Sequence, residues 1–516
     1  MKKIFIVPLI GALLLTISSC DKNFEEVNTN PILATSLDPV YLFSNSQVLS
    51  AVPTYHYQGA IVQQVITPYG GVLEGGNRNT VNEANANAIY NTIYTGPIRN
   101  LTVVINQLKD NPDRTNLYNM ARIWKAYCFQ ILVDTYGDVP YSESGKGFLE
   151  STYLPKYDDQ KVIYEDIIKE YQEATEALNA TKDVVGGDLF YQGDIARWKK
   201  LGNSLLLRTG MRYTKIDAAK AKTIVEIAVN PARGGVMSSN NDNALIQFNA
   251  TYTNGTSSAL LGGERHNYYV GKPFVDFLKA TNDPRLTYIA ATYEKPTEPL
   301  ATAGAVNTNP ANQLGMPYGY DENSVQTAPG FPGKIGSAFK YSQFNRATVF
   351  RIDAPEYLVT YAQTQLLLAE AVSRGFIAGN AKNFYEAGIR AHMTQKPLYG
   401  ETLNITDAQQ SAYLLEPEVA FTPARALEQI NEQYWVASFR NWAEAWANFR
   451  RSGYPQLSPI KFPGEDPEVN TGNAGGFIHR LTYPLREKSV NTANVNEAVS
   501  RSGADNLGTR IFWDKP

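Results

Sequence analysis

Helical periodicity in this chain is confined to two blocks, and the long stretch between them restricts the possible folds more than either block does. Segments near Asn85 to Leu108, Leu117 to Tyr136, Gln160 to Leu178 and Ala196 to Tyr213 carry apolar residues three and four apart, the spacing that lines one face of a helix. In the third, Ile163, Ile167, Tyr171, Ala174 and Leu178 form that face. From Asn230 to Gly336 glycine, proline, asparagine and threonine take over, and only a short helix around Phe274 to Ala280 is expected. Unstructured connections this long in a compact protein are functional or disordered. The aromatics Tyr252, Tyr268, Tyr269, Tyr318, Tyr320 and Phe331 argue against plain disorder.

Periodicity returns at Pro355. There "EYLVTYAQTQLLLAEAVSRGF" runs into a glycine-bearing turn, and "AKNFYEAGIRAHM" answers it with Phe384, Ala387, Gly388 and Ala391 on one face. Small residues let two helices approach closely, and the pair resembles a tetratricopeptide hairpin, although no clean repeat of about 34 residues runs through the chain. A final helix is expected over about Ala424 to Ser452, ahead of a Pro/Gly-rich tail. The fold class predicted is mainly α: a tetratricopeptide-like helical scaffold with long irregular loops and little β.

The first residues add a compartment. Lys2 and Lys3 precede an apolar run from Ile4 to Ile17, and Ser18 and Ser19 are the small residues that mark a cleavage point. A membrane-spanning helix needs roughly 20 apolar residues, so the run reads as a secretion signal, residues 1–19. Ile17-Ser18-Ser19-Cys20 resembles the lipobox of bacterial lipoproteins, which implies that Cys20 is acylated and anchors the chain; an ordinary cleaved signal with a chance cysteine is the alternative. Two or more acyl chains make a stable anchor where one is marginal. The polar stretch from Asp21 to Asp38, broken by Pro31, then reads as a tether, residues 20–40. With Cys20 used by lipid, Cys128 has no partner, and no disulfide framework can form. Cys128 is expected to be a small buried thiol, and the fold must hold by its core alone.

The net charge of −3 comes without any basic block, which argues against nucleic acid as a partner. Tyrosine is abundant at 32 copies, many in Gly/Asn/Pro-rich segments. Such a surface suits ligands that offer both apolar faces and hydrogen-bonding groups.

Several segments carry a resemblance: "EEVNTNP" after the lipobox, "DTYGDVPYSE", "ARWKKLGNSLLLRTGMR", "NDPRLTY", "LLLAEA", "NEQYWVASFRNWAEAWANFRRSGYP", "RLTYPLREKSVNTANVNEAV" and "RIFWDKP". Together, and in this order, they resemble the SusD/RagB family of outer-membrane nutrient-binding lipoproteins. The resemblance implies a single SusD-like domain over 41–516: scaffold at about 41–229 and 355–455, a ligand-facing insert at about 230–354, and a C-terminal segment 456–516. It further implies a surface lipoprotein that captures oligosaccharide or peptide and delivers it to a SusC-like TonB-dependent barrel, acting as a lid on a flexible anchor. Asp21, Glu25 and Glu26 fit an export signal of such lipoproteins.

Trp435, Phe439, Trp442, Trp446 and Phe449 recur at spacings of four, three, four and three. An unbroken apolar stripe on a helix is core rather than a row of sugar platforms, and Arg450 and Arg451 are read as helix capping with internal salt bridges. Trp124, Trp198 and Trp513 also fall in framework segments, so ligand stacking falls to tyrosine. The candidates are Tyr69, Asn77 and Arg78 in "TPYGGVLEGGNRN", with Tyr252, Tyr268, Tyr318 and Tyr320 in the irregular stretch; for each, packing on its own loop is the competing reading. His56, His266, His392 and His479 are scattered, and no metalloprotease, nucleophile-elbow or Walker motif occurs. "NNDN" at Asn240 lacks the spacing of a calcium loop. No cofactor, metal or catalytic residue is expected. A lipid-anchored glycoside hydrolase, which needs only two carboxylates, and a purely structural lipoprotein remain the alternatives.

Overall fold

The computed structural model describes residues 37–51, 56–71, 74–263 and 265–516. The signal, Cys20 and nearly all of the tether lie outside the described residues. Eleven helices are named here: α1 (Pro39–Leu49), α2 (Glu83–Ile93), α3 (Arg99–Leu108), α4 (Thr115–Tyr136), α5 (Gln160–Ala177), α6 (Ile195–Met211), α7 (Ala218–Ala228), α8 (Tyr361–Ser373), α9 (Ala381–Met393), α10 (Ala426–Ala437) and α11 (Trp442–Ser452). Consecutive members pack as α4 on α5, α6 on α7, α8 on α9 and α10 on α11. The pairs are joined by contacts of α5 with α6, α6 with α8 and α8 with α10, and α11 returns to α4. The architecture is a helical scaffold with no barrel among the described residues.

Local chemistry explains the starts. Asp159, Asp194, Asp217 and Asn380 each accept a backbone N–H at the N-terminus of their helix, which satisfies one of the amides a helix leaves unpaired. Thr360 opens α8 with a reciprocal pair, its hydroxyl taking the Gln363 N–H at 3.1 Å and the Gln363 amide oxygen taking the Thr360 N–H at 3.2 Å. Close helix approach is visible at Gly388, where a Cβ would lie 2.7 Å from Leu366 Cγ, so the α8–α9 contact demands glycine. The buried residues of α9 are Tyr385, Gly388, Ile389, Ala391, His392 and Met393; Gly388 and Ala391 of the expected stripe are among them, while Phe384 and Ala387 are only half-buried.

Three helical expectations are refined. The segment near Asn85 to Leu108 divides into α2 and α3 around a widened turn, Tyr94–Ile98, that contains Pro97; proline has no N–H to give the ladder. "EYLV" before α8 is a strand, Glu356–Val359, paired with Ala244–Ile246. The long C-terminal helix divides at Ser438–Asn441, where Arg440 takes φ +72° and places its guanidinium 2.8 Å from the buried Glu356 carboxylate. The chain leaves the helix to make that ion pair.

All six tryptophans are core, at most 2% exposed, and each indole N–H has an acceptor. Trp435 donates to the Val62 carbonyl, Trp442 to Gln64, Trp446 to the Ile478 carbonyl and Trp513 to Asp134. Arg451 forms a double bond-pair with Glu370 at 2.7 and 2.6 Å, both fully buried. Burial alone would raise the Glu370 carboxyl, but Arg451 and then Arg374 outweigh it and hold it at about 2. Arg450 lies over the Trp446 ring and donates to the His479 and Asp134 carbonyls. Cys128 is buried and free, its thiol pushed up to about 12 by that burial.

Between α7 and α8 regular structure is limited to short helices and strands of two to four residues. Two of these small sheets position the site. Val65–Ile66 pairs antiparallel with Tyr269–Val270, and Lys334–Ile335 pairs with Ala338–Phe339 across the Gly336-Ser337 turn.

Candidate functional site

A second apolar cluster, separate from the main core, lies at these strands. Ile66, Tyr269, Met316, Val325, Phe339 and Tyr341 form its buried layer, and Tyr69, Leu314, Tyr318, Tyr320 and Phe331 pack half-buried against it. The rings meet at angles: Tyr69 and Phe339 centroids are 6.0 Å apart, Phe331 and Phe339 6.1 Å, and Phe331 and Tyr341 6.3 Å. Edge and tilted contacts of this kind are favoured over face-to-face stacking. Among the described residues Tyr69 and Phe331 meet only rings of this cluster, and no ring contact is formed by Tyr320.

Hydrogen bonds turn some of these groups inward. Tyr318 donates to the Val65 carbonyl at 2.7 Å, and Tyr69 to the Ser337 carbonyl at 3.0 Å, which pins the 334–339 hairpin. The Tyr269 hydroxyl accepts the Phe339 N–H at 2.9 Å. Lys334 extends over the Phe339 ring, 4.7 Å from its centroid. Burial, with a smaller push from Tyr320, raises the Tyr341 hydroxyl to about 12; burial and then Glu322 raise Tyr69. These phenols stay neutral through the physiological range. The face therefore offers uncharged rings, hydroxyls and a few cations at its rim.

Of the residues proposed from sequence, Tyr69, Tyr318 and Tyr320 converge on this cluster, and Arg78 borders it. Arg78 donates to the Pro68 carbonyl at 2.8 Å, lies 3.7 Å from Glu322, and sits over the Phe462 ring at 4.9 Å. Asn77 is buried and donates to the Thr67 carbonyl at 2.6 Å, holding the loop from inside. Tyr268 packs against the main core. Tyr252 is 61% exposed on a turn closed by Asn249, and Asn254, two residues on, donates to the Ile352 and Ala354 carbonyls and the Glu356 carboxylate. Neither belongs to the cluster.

Phe339, Tyr341, Lys334 and Phe462 were not among the candidates. The signal for the first three was "KIGSAFKY", in which Gly-Ser between two short apolar runs marks a tight hairpin. Phe462 gave none, since it arrives from the C-terminal segment, more than a hundred residues away in sequence.

Clefts of ligand size also lie elsewhere among the described residues, two of the more voluminous being these. One of about 670 Å³ is bounded by Lys279, Asp283, Tyr288, Pro310, Gln409 and Glu416. The other, about 680 Å³, includes Asp138, Glu165, Tyr213, Lys220, Arg501 and Arg510. Several of their charged groups are already engaged: Asp283 with Arg285, Asp138 with Arg501, Glu165 with Lys220. The outer rings of the aromatic cluster are half-buried rather than enclosed. His392 is held between Arg285 and Tyr399, and His479 by Asp514 at 2.6 Å, so both are satisfied polar groups of the interior.

Paired helices that carry an irregular, aromatic-faced surface define a scaffold of the nutrient-binding class. The chain belongs to the SusD-like family described as starch-binding and associating with the outer membrane, whose model matches residues 25–484. Solved structures agree. A chitin-binding protein is 30% identical, with 93% of this chain and 100% of that one covered and a TM-score of 0.77. A Bacteroidetes SusD-like protein is 27% identical over 93% and 100%, with a TM-score of 0.78. A chitin-binding SusD homolog from Flavobacterium johnsoniae is 25% identical over 92% and 97%, with a TM-score of 0.73. A comparison with curated proteins gives no match. The family's own description is one of binding.

Proposed function

We propose that this protein is a lipid-anchored, surface-exposed binding protein that captures an oligosaccharide on the face built by Tyr69, Tyr320 and Phe331 and passes it unchanged to a SusC-like TonB-dependent barrel. One observation carries the reading: half-buried aromatic rings from two distant segments converge on one cluster, with Lys334 and Arg78 beside it. Sugar rings offer apolar faces flanked by hydroxyls, and such a surface matches both. The binding named for two related structures, chitin, makes N-acetylglucosamine oligomers the first ligands to test, with malto-oligosaccharides and peptides as competitors. Acylation of Cys20 supplies the anchor, and residues 41–516 act as one capture body. A membrane-bound partner then meets it at high effective concentration, so even a modest contact suffices.

Calorimetry against the three ligand sets, with product analysis after long incubation, tests the reading. Affinity for a glycan without turnover is expected. Turnover means an enzyme, and silence toward every ligand means a structural role. Fatty-acid labelling lost in Cys20→Ala and co-purification of a barrel from mild detergent test the anchor and the partner. An unlabelled wild-type chain, or uptake unchanged when the neighbouring barrel is deleted, overturns each in turn.

A further inference from the structure

Asn77, Arg78 and Asn79 together tie three segments at the border of the aromatic face. Asn77 holds Thr67, as described. Asn79, at φ +53°, donates to the Ile460 and Gly476 carbonyls, each at 3.2 Å, and its own carbonyl accepts the Asp466 N–H at 2.8 Å. Between them Arg78 touches all three walls. Its donor to the Pro68 carbonyl sits one residue before Tyr69, its carboxylate neighbour Glu322 sits two residues after Tyr320, and its plane covers Phe462. The same C-terminal segment presses on the Tyr320 loop, for a Cβ at Gly319 would lie 2.6 Å from the Lys461 carbonyl. The Arg78 side chain is 11% exposed. It is placed to join walls, with little surface left to offer a ligand.

Resting on the proposed binding function, we infer that Arg78 is a positioning residue that sets the gap between Tyr69 and Tyr320, and so the ligand the face accepts, without itself contacting that ligand. The guanidinium suits the task because it is a planar fork: one edge bonds a carbonyl and faces a carboxylate while the flat side stacks on a ring. A lysine ammonium has no plane to stack and no fork to divide between two acceptors. Arg78→Lys therefore keeps the charge and loses the geometry.

The test is a mutant cycle read with N-acetylglucosamine hexamer as the probe, using the full chain. Arg78→Lys is expected to weaken binding about tenfold, and that loss is expected to shrink to near nothing in the Tyr69→Ala and Tyr320→Ala backgrounds, since residues acting through one another are not additive. Arg78→Lys that binds like the wild type, or a loss that persists in full in both backgrounds, overturns the inference; the second result makes Arg78 a direct contact. A crystal structure of Arg78→Lys decides the matter without any ligand. A changed Tyr69–Tyr320 separation supports the positioning role, and an unchanged one ends it. Absence of hexamer binding in the wild type counts against the glycan reading alone, because the ring separation still judges Arg78.

Discussion

Arg451 and Arg78 hold comparable places in two regions of the molecule, and their surroundings differ in a way that explains the regions. Arg451 is 1% exposed and forks onto a fully buried Glu370 between α8 and α11, with Asn431 and Asn448 taking its remaining donors. Arg78 meets a carboxylate 41% exposed at 3.7 Å and spends its other edge on a backbone carbonyl and its plane on a ring. The scaffold closes most of its polar groups on one another, and each of its indole N–H groups finds an acceptor inside. The aromatic face leaves its outer rings half open. A region that must hold shape pairs most of its polar groups, whereas the face proposed to receive a ligand keeps ring surface exposed.

The comparison is broken most forcefully at the scaffold pair. Glu370→Gln leaves Arg451 charged and buried without its counter-ion, and an unfolding free-energy loss of about 3–5 kcal/mol is expected, read by denaturant titration. The same pair carries a pH dependence. Because Glu370 is held at about 2 in the fold against an ordinary 4.5, its contribution is complete above the unfolded value and drains away as pH falls from there toward 2. The stability gap between wild type and Glu370→Gln is therefore expected to narrow in acid; a gap that stays constant down to pH near 3 would contradict the assignment.

The opposite result is expected at the face. Tyr69→Ala, Tyr320→Ala and Phe331→Ala remove half-exposed rings. Each is expected to weaken glycan binding by about 2 kcal/mol, roughly thirtyfold, while leaving the melting transition nearly in place. Unfolding that tracks the binding loss would make these rings core and erase the distinction between the two regions.

A smaller effect separates helix packing from chemistry. Gly388→Ala adds a methyl 2.7 Å from Leu366 Cγ, and overpacking of this kind costs roughly 1–3 kcal/mol, with ligand affinity unchanged. Least of all, Tyr252→Ala is expected to alter neither stability nor affinity by more than about 0.5 kcal/mol, since that ring is exposed and stands outside the cluster. Calorimetry that finds a clear affinity loss there would extend the face to the 249–254 turn.

Legibility followed the range of the interaction. The face Ile163, Ile167, Tyr171, Ala174 and Leu178 is buried as its spacing predicts, because a helix of 3.6 residues per turn converts spacing directly into direction. The tryptophan stripe is core for the same reason, even though its helix breaks at Ser438–Asn441. The break itself was hidden: it exists for an ion pair between Arg440 and Glu356, which stand 84 positions apart. At the site, Tyr69, Tyr318 and Tyr320 were visible as tyrosines in loops, but nothing local distinguished them from Tyr252 and Tyr268.

By itself the sequence determined the buried face of α5, the core placement of the tryptophan stripe, the small residue that α8 and α9 need between them, and the long irregular stretch that separates the two helical blocks. Each of these depends on residues within one or two helical turns, where geometry is the same in any fold. Only the tertiary structure decided which tyrosines share a face, that Asn77 turns inward, and that Phe462 completes the wall beside Arg78. Those outcomes depend on two-residue strands and single hydrogen bonds between segments up to hundreds of residues apart, such as Tyr318 to Val65 and Asn79 to Ile460. Such contacts have no period to announce them, and they form only once the helical scaffold has brought their backbones within reach.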